Sequence, residues 1–130
     1  MKSLVVEDEF TSRLVLQKLL GEYGEVHIAS NGQEAVEAVH LSHKEGAPYN
    51  LIALDIMMPG MNGTEALRKI REIEEVLSIA PGEGVKIIMT TSLGDGKSIM
   101  ASFKDQCDGY LVKPIEKVKL LKYLQEFQLM

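Results

Sequence analysis

Cysteine and long apolar runs are nearly absent from this sequence of 130 residues. The single cysteine, Cys107, excludes an internal disulfide, which is typical of a chain in a reducing compartment. No apolar run approaches the ~20 residues that a membrane-spanning helix needs. The N-terminal stretch MKSLVVEDEF turns acidic after its apolar residues and therefore lacks the pattern of a signal peptide. We expect a cytoplasmic protein with no membrane segment.

An excess of positive charge is absent as well. The formal net charge is −5, which argues against nucleic acid as a direct partner, because binding to phosphates depends on Lys and Arg. The 45% hydrophobic and 25% charged fractions are ordinary for a globular chain with a packed core. There is no internal repeat, low-complexity tract or interdomain linker. We therefore expect residues 1–130 to form one domain with no attached output domain.

Five short stretches rich in Leu, Val and Ile alternate with segments in which apolar residues have helical spacing. The apolar stretches are 3–6, 25–29, 51–54, 85–89 and 109–112. Several are near-continuous apolar runs, typical of strands buried on both faces of a parallel sheet. The helical segments are marked by Phe10, Leu14 and Leu20; Ala35, Ala38 and Val39; Leu67, Ile70, Ile73 and Leu77; Ile99, Phe103 and Cys107; and Val118, Leu121 and Leu124. Strand and helix alternating five times predict an α/β fold with right-handed crossovers.

Polar side chains follow the apolar runs at the point where each run ends; the second run closes on Ser30 and Asn31, and the polar residues after the other four runs form the candidate set. They are Glu7 and Asp8, Asp55, Thr90 and Thr91, and Lys113. Because the carboxyl ends of parallel strands meet at one edge of a sheet, we expect these groups to gather there. Two like charges ~4 Å apart repel by about 4 kcal/mol at an effective dielectric constant near 20, so three carboxylates favour a bound cation. Mg²⁺ suits such a site, with waters and a phosphate as its other ligands.

A carboxylate beside a metal ion and a phosphoryl donor can act as a nucleophile. The pattern therefore indicates that Asp55 accepts a phosphoryl group, while Thr91 and Lys113 contact the oxygens over which its charge is spread. Thr90 is interpreted as a strand residue whose side chain points away from this site.

The motifs LVVEDE, LDIMMPGMNG, IIMTTS and GYLVKP together resemble the response-regulator receiver domain of two-component signalling. The resemblance covers essentially the whole chain and implies a (βα)5 flavodoxin-like, CheY-like fold of three layers. Its five-stranded parallel sheet would have the order 2-1-3-4-5. It implies phosphorylation of Asp55 and binding of Mg²⁺, for which Mn²⁺ could substitute, by Asp8, Asp55 and the backbone carbonyl of Met57. Glu7 would act on the metal through water or directly.

The resemblance also implies a switch. Thr91 and Lys113 would contact the phosphoryl group, and Tyr110 would turn inward when Thr91 moves. The surface of the predicted fourth helix, fifth strand and fifth helix would change and bind a downstream protein, or permit a homodimer. The Lys113–Pro114 bond would be cis, although only about 5–6% of X–Pro bonds are. The donor would be a sensor histidine kinase or a phosphotransfer protein, and the chain would be a phosphoacceptor switch that promotes its own phosphorylation and dephosphorylation rather than an enzyme.

Some residues depart from the family pattern. Glu7 stands where the family more often has a second Asp, so its side chain reaches further. The two positions that tune hydrolysis in the family hold Met57 and Leu93, and neither side chain can orient a water molecule. We therefore expect a long-lived phosphoryl group.

Other functions remain as alternatives. The domain could be a phosphoryl shuttle in a multi-step relay. A Mg²⁺-dependent phosphatase would usually carry Asp-x-Asp, but Met57 replaces the second Asp here. A flavodoxin-like cofactor binder would need a phosphate-binding loop after residues 3–6, where acidic residues stand instead, and a structural pseudo-receiver would lack the site residues. The GDGKS stretch at 94–98 fails the P-loop pattern, because Thr91 stands where a glycine is required.

Overall fold

The computed structural model describes residues 1–92 and 106–130. The described residues form five strands and four helices: β1 (Lys2–Val6), α1 (Phe10–Gly21), β2 (Glu25–Ala29), α2 (Gly32–Lys44), β3 (Leu51–Asp55), α3 (Gly63–Val76), β4 (Lys86–Thr91), β5 (Gly109–Val112) and α4 (Lys117–Glu126). The predicted fourth helix, marked by Ile99 and Phe103, falls on residues outside this description. The predicted fifth helix is therefore α4. None of the described helices has the length and apolar composition needed to cross a membrane.

All strand pairs are parallel, and the sheet has the order β2-β1-β3-β4-β5. The predicted α/β fold with strand order 2-1-3-4-5 is thus confirmed. The register aligns Val6 with Ala29 on one side and Leu54 on the other, and Asp55 with Thr90. The carboxyl ends of the strands therefore meet at one edge of the sheet, which we call the acidic edge after the residues Glu7, Asp8 and Asp55.

Helices cover both faces of the sheet, which gives three layers. Successive side chains along a strand point to opposite faces. One face packs against α1 and α4 in a cluster that includes Val5, Ala53, Ile88 and Leu111. The other packs against α2 and α3 in a cluster that includes Val6, Leu54 and Met89. This alternation determines on which side of the sheet each functional residue lies.

The spacing of apolar residues misidentified part of the buried face of two helices. Phe10 is 65% exposed and Val118 is 78% exposed, although both marked a predicted apolar face. Leu14, a third predicted residue, is also exposed, whereas the predicted Leu20 and Leu124 are buried. The buried faces are completed by Leu16 of α1 and Leu120 of α4, which were not predicted. The reason is that a helix rich in apolar residues offers more than one apolar stripe, and only contact with the sheet selects which stripe is buried.

An ion-pair network lies at the opposite edge of the sheet, where β4 and β5 begin. Arg71 of α3 forms ion pairs with Glu74 (Nη1–Oε1, 2.7 Å) and with Asp108 (Nη2–Oδ2, 3.1 Å). Its side chain also donates to the backbone carbonyls of Val85 and Gln106. The second oxygen of Glu74 accepts from the Val85 N–H at 2.7 Å. We call these five residues the Arg71 network; it ties α3 to the starts of β4 and β5.

Candidate functional site

Asp55 is the last residue of β3, and its side chain is almost fully buried. The four residues before it are apolar and buried, so the strand runs through the core and delivers the carboxylate to the acidic edge. The Ile56 N–H donates to the Thr90 carbonyl (3.0 Å), which extends the pairing with β4 past Asp55. Asp55 Oδ1 accepts from the Met57 N–H at 3.2 Å. The carboxylate is therefore held from its own loop as well as by its strand.

The loop from β3 to α3 returns tightly behind Asp55. The Gly63 N–H donates to the Ile56 carbonyl (2.9 Å), and a Cβ at Gly63 would overlap the Asp55 carbonyl. Only glycine lets α3 begin this close to β3. The Asn62 side chain accepts from the Glu65 N–H at 3.0 Å and so caps the start of the helix.

Lys113 connects the two buried carboxylates of the site. Its Nζ lies 2.6 Å from Glu7 Oε1 and 3.3 Å from Asp55 Oδ2. The Glu7 side chain is fully buried, and its other oxygen accepts from the Glu9 N–H at 3.2 Å. The Lys113 N–H donates to the Thr91 carbonyl, and the Lys113–Pro114 peptide bond is cis, the form implied by the resemblance.

The electrostatics of the pair follow from burial and from these short contacts. Burial raises the pKa of Glu7, although the Lys113 ammonium acts against this increase, and the nearby Asp55 carboxylate adds to it. For Lys113, burial lowers the pKa, but contact with Glu7 and the charge of Asp55 outweigh it, so that its pKa is raised overall. One ammonium thus serves two buried carboxylates.

Asp8 completes a group of three carboxylates. Unlike Glu7 and Asp55 it is exposed, and the three side chains offer oxygen atoms that all lie within 4.8 Å of one another. Among the described residues, three carboxylates against the one ammonium of Lys113 leave an excess negative charge that a divalent cation would balance. Oxygen ligands at this density match the preference of Mg²⁺. The residues therefore fit a magnesium ion.

Thr91 and Tyr110 lie at the same edge but on the other face of the sheet. Alternation along β4 places the buried Thr91 side chain on the face of Met89, against which Tyr110 also packs. Tyr110 pairs with Met89 in register, and its N–H donates to the Tyr123 hydroxyl at 3.2 Å. The two predicted switch residues thus share a face, whereas Glu7, Asp8, Asp55 and Lys113 form the carboxylate and ammonium group.

Thr90 lies on the same face of the sheet as Asp55, although its side chain makes no hydrogen bond to the site residues. Thr90 follows Ile88 by two residues and pairs in register with Asp55, so both lie on the face that packs against α1 and α4. The signal that could have revealed this was the two-residue alternation counted from Ile88. Chain position alone shows that a polar residue ends a strand, but it does not show on which face of the sheet the side chain lies.

The Met57 side chain is 63% exposed beside the carboxylate group. Leu93, the other residue expected to influence hydrolysis, lies outside the described residues, as does the stretch 94–98. The surface predicted to bind a partner is therefore described only for its β5 and α4 parts. Of these, Val112 and Val118 are exposed.

Comparison with known proteins agrees with this geometry. The family model for the response regulator receiver domain matches residues 3–125. The chain is 33% identical over 123 residues to the chemotaxis protein CheY of Halobacterium salinarum, covering 95% of this chain and 92% of that protein. It is 31% identical over 129 residues to the osmosensing histidine protein kinase SLN1 of Saccharomyces cerevisiae, covering 98% of this chain and 10% of that protein.

A solved structure gives the same result. The receiver domain of the histidine kinase CKI1 from Arabidopsis thaliana, complexed with Mg²⁺ and BeF₃⁻, matches with a TM-score of 0.78 and 28% identity. The match covers 98% of this chain and 89% of that one. Several curated relatives are longer proteins, of which this chain spans less than half. Since the family model matches nearly the whole chain and the sheet has the strand order expected of it, the chain belongs to the response regulator receiver domain family of two-component signalling.

Proposed function

We propose that this chain is a phosphoacceptor switch that receives a phosphoryl group on Asp55 from a histidine kinase or a phosphotransfer protein. The observation that carries the proposal is the contact of Lys113 with both Glu7 and Asp55, with Asp8 close by. A buried aspartate held by one lysine within an acidic group is a nucleophile whose surroundings favour a cation and a phosphate together.

Magnesium would be held by Asp8, Asp55 and the Met57 carbonyl, with Glu7 nearby, and would supply positive charge against the phosphoryl oxygens when bound. The other roles in the transfer belong to groups of the chain itself. The Met57 N–H fixes the rotation of the Asp55 carboxylate, so that one oxygen is presented to the donor. Because Lys113 and Asp55 are largely buried, the attraction between their charges is stronger than it would be in bulk water.

In the transfer step, an Asp55 oxygen forms a bond to phosphorus as the P–N bond to the donor histidine breaks. The imidazole nitrogen keeps the bonding electron pair, and the ring, whose other nitrogen already carries a proton, leaves as neutral imidazole. Lys113 would follow the negative charge from the carboxylate to the phosphoryl oxygens. The contact between the Lys113 ammonium and the Glu7 carboxylate would then weaken, and this change would occur only in the phosphorylated state.

The switch would involve the other face of the sheet. Thr91 would turn its hydroxyl toward the phosphoryl group, and Tyr110 would move inward into the space that Thr91 leaves. Their common face supports this coupling. The changed surface of β5 and α4 would bind a downstream protein, and we further propose that no enzymatic turnover of a separate substrate takes place at the site.

A long lifetime is part of the proposal. The exposed Met57 side chain has no group that can orient or deprotonate water. We therefore expect the aspartyl phosphate to persist well beyond seconds after the donor is removed. Its decay, followed by intact-protein mass spectrometry, checks this expectation, and loss within seconds would contradict it.

A second candidate is a phosphoryl shuttle in a multi-step relay. It is favoured by the similarity to SLN1 and to the receiver domain of CKI1, both of which are named as histidine kinases. The two candidates share the chemistry at Asp55 and differ in the next step. Transfer of the phosphoryl group from Asp55 to a histidine phosphotransfer protein would favour the shuttle, and retention would favour the switch.

The test of the proposed function is acquisition of phosphate from acetyl phosphate. We expect Mg²⁺-dependent addition of one phosphoryl group to the wild-type chain and none to Asp55→Asn. Asp108→Asn is the matched control, because it makes the same chemical change in the Arg71 network and should still be phosphorylated. Phosphorylation of Asp55→Asn, or its loss in both variants, would reject Asp55 as the acceptor.

A further inference from the structure

The Thr90 hydroxyl is a buried polar group with no assigned role. Thr90 is fully buried in β4, and its Oγ1 has no hydrogen-bond partner within the part of the chain that the structure describes. Nearly all buried polar groups in proteins have a partner, so each exception needs a physical explanation. A hydroxyl that lacks a partner in one state of a switch is explained if it gains one in the other state.

The position of Thr90 indicates that this partner would be a group attached to the Asp55 carboxylate. The two residues pair in register on adjacent strands and lie on the same face of the sheet. Neighbouring strands are about 4.7–4.9 Å apart, so a group attached to Asp55 lies within reach of the Thr90 side chain. Leu111, the register partner of Thr90 on its other side, is apolar and offers no competing acceptor on its side chain.

The charge balance of the site indicates that a donor is needed there. Lys113 is already divided between Glu7 and Asp55, and the Met57 N–H serves one oxygen of Asp55. A phosphoryl group would add acceptor oxygens and negative charge to a site that already holds three carboxylates. A neutral hydroxyl can donate to these oxygens without needing a counter-charge of its own.

We propose that Thr90 is a phosphoryl-binding residue whose hydroxyl donates a hydrogen bond to the loaded Asp55 group and has no partner in the unloaded state. This inference depends on the proposed function of Asp55. It separates the roles of two adjacent threonines: Thr90 stabilises the phosphorylated group from the α1 and α4 face, and Thr91 acts as the switch from the other face.

The inference predicts opposite effects in the two states. Thr90→Val replaces the hydroxyl with a methyl group of similar size, so the unloaded protein should be as stable as the wild type or more so. The loaded protein should lose a hydrogen bond to a charged group. Thr90→Ser keeps the hydroxyl and should restore binding, which separates the role of the hydroxyl from that of the side-chain shape.

The probe is beryllofluoride with Mg²⁺, added to the full chain, with affinity measured by calorimetry and Tm by thermal unfolding. We expect Thr90→Val to bind beryllofluoride about tenfold more weakly than the wild type, and Thr90→Ser to bind within about threefold of it. The unloaded Tm of Thr90→Val should equal or exceed that of the wild type.

The matched control is Ser42→Ala, which also removes a buried hydroxyl. The Ser42 hydroxyl donates to the Val39 carbonyl (2.7 Å) in the last turn of α2, the end of the helix that is remote from the carboxyl end of β2. Ser42→Ala should lower the unloaded Tm and leave the affinity for beryllofluoride unchanged. Thr90→Val should therefore weaken beryllofluoride binding without lowering the unloaded Tm, whereas Ser42→Ala should lower the unloaded Tm without weakening binding.

Three outcomes would overturn the inference. The first is equal affinity of Thr90→Val and wild type for beryllofluoride, and the second is an equal loss of affinity in Thr90→Val and Thr90→Ser. The third is a fall in the unloaded Tm of Thr90→Val like that of Ser42→Ala, since the hydroxyl would then already have a partner. Failure of the wild type itself to bind beryllofluoride would reject the proposed function and, with it, this inference.

Discussion

The two edges of the sheet each carry a group of charged residues, and the two groups are built on different principles. At the edge that holds the Arg71 network, Arg71 and the adjoining Lys86 face Glu74 and Asp108, so these charges balance. The side chains of Arg71, Glu74 and Asp108 also bond to backbone groups at the starts of β4 and β5.

At the acidic edge, the charges of the described residues do not balance, and not every buried polar group has a hydrogen-bond partner. Within the described residues, the Lys113 ammonium contacts two of the three clustered carboxylates, Glu7 and Asp55, and the Thr90 hydroxyl has no partner. Burying charge without full compensation costs stability, so a fold retains such an arrangement where it serves binding or chemistry. The comparison teaches that one edge ties α3 to the strands through paired charges, while the other carries the uncompensated charge on which the proposed binding of a cation and a phosphoryl group depends.

The largest expected effect comes from removing the Arg71 side chain from the Arg71 network. Arg71→Ala would leave the carboxylates of Glu74 and Asp108 and two backbone carbonyls without their shared donor. Removing one partner of a buried ion pair typically costs about 3–5 kcal/mol, and we expect the lower end because Arg71 retains some exposure. Urea unfolding measures this loss in the free energy of unfolding.

Lys69→Ala on the same helix is the control, because Lys69 is exposed and belongs to no ion pair among the described residues. It should change the free energy of unfolding by no more than about 0.5 kcal/mol. A similar loss in the two variants would show that the stability of α3, and not the network, had been measured.

An intermediate effect, of opposite sign, is expected at the acidic edge. Asp55→Asn removes the repulsion of Asp55 by Glu7 and Asp8 and the burial of its charge, and gives up only the attraction to Lys113. We expect the free energy of unfolding of the Mg²⁺-free protein to rise by about 1 kcal/mol. Glu74→Gln, the same kind of change at the other edge, should lower it.

Magnesium sharpens this prediction. At a concentration ten times its Kd, an ion that binds only the folded state adds about 1.4 kcal/mol to the free energy of unfolding. The wild type and Glu74→Gln should both gain this increment, whereas Asp55→Asn should gain less. An unchanged increment in Asp55→Asn would remove Asp55 from the set of metal ligands.

The smallest expected effect concerns Glu9, which lies beside the acidic edge. Like the carboxylates of the Arg71 network, its side chain accepts hydrogen bonds from backbone N–H groups. Its side chain accepts from the N–H groups of Ser12 and Thr11 at the start of α1, and these bonds lower its pKa to about 2 from 4.5. Because the pKa is lowered in the folded state, Glu9 stabilises the protein above pH 4.5 and loses this contribution as the pH falls toward 2. Comparing the Tm of wild type and Glu9→Gln across this range isolates the effect. A constant difference in Tm would contradict the role of Glu9 as a cap.

Much of the fold could be predicted because strand position follows from local composition. The apolar runs 25–29 and 109–112 match β2 and β5 in both bounds, and 51–54 misses only Asp55, a polar residue at the end of its strand. Faces were harder to predict. Phe10 and Val118 were assigned to buried faces and are exposed, because apolar character does not identify the neighbour that a helix packs against.

The Arg71 network was not predicted at all. Its members are separated by up to 37 positions, and each by itself is an ordinary charged residue on a helix or in a loop. Nor could the sequence tell whether Lys113 faces one carboxylate or two. Such pairings depend on how far strands are displaced along one another, which no local pattern encodes.

The sequence by itself determined the five strands, the parallel sheet and the gathering of Glu7, Asp8, Asp55 and Lys113 at one edge, because strand ends and polar terminators are local features of the chain. Tertiary structure alone decided which helices cover the faces on which Thr90 and Thr91 lie, the sharing of Lys113 and the network at the opposite edge. Those features depend on register and on helix packing, in which residues far apart in the chain meet at distances of a few ångströms.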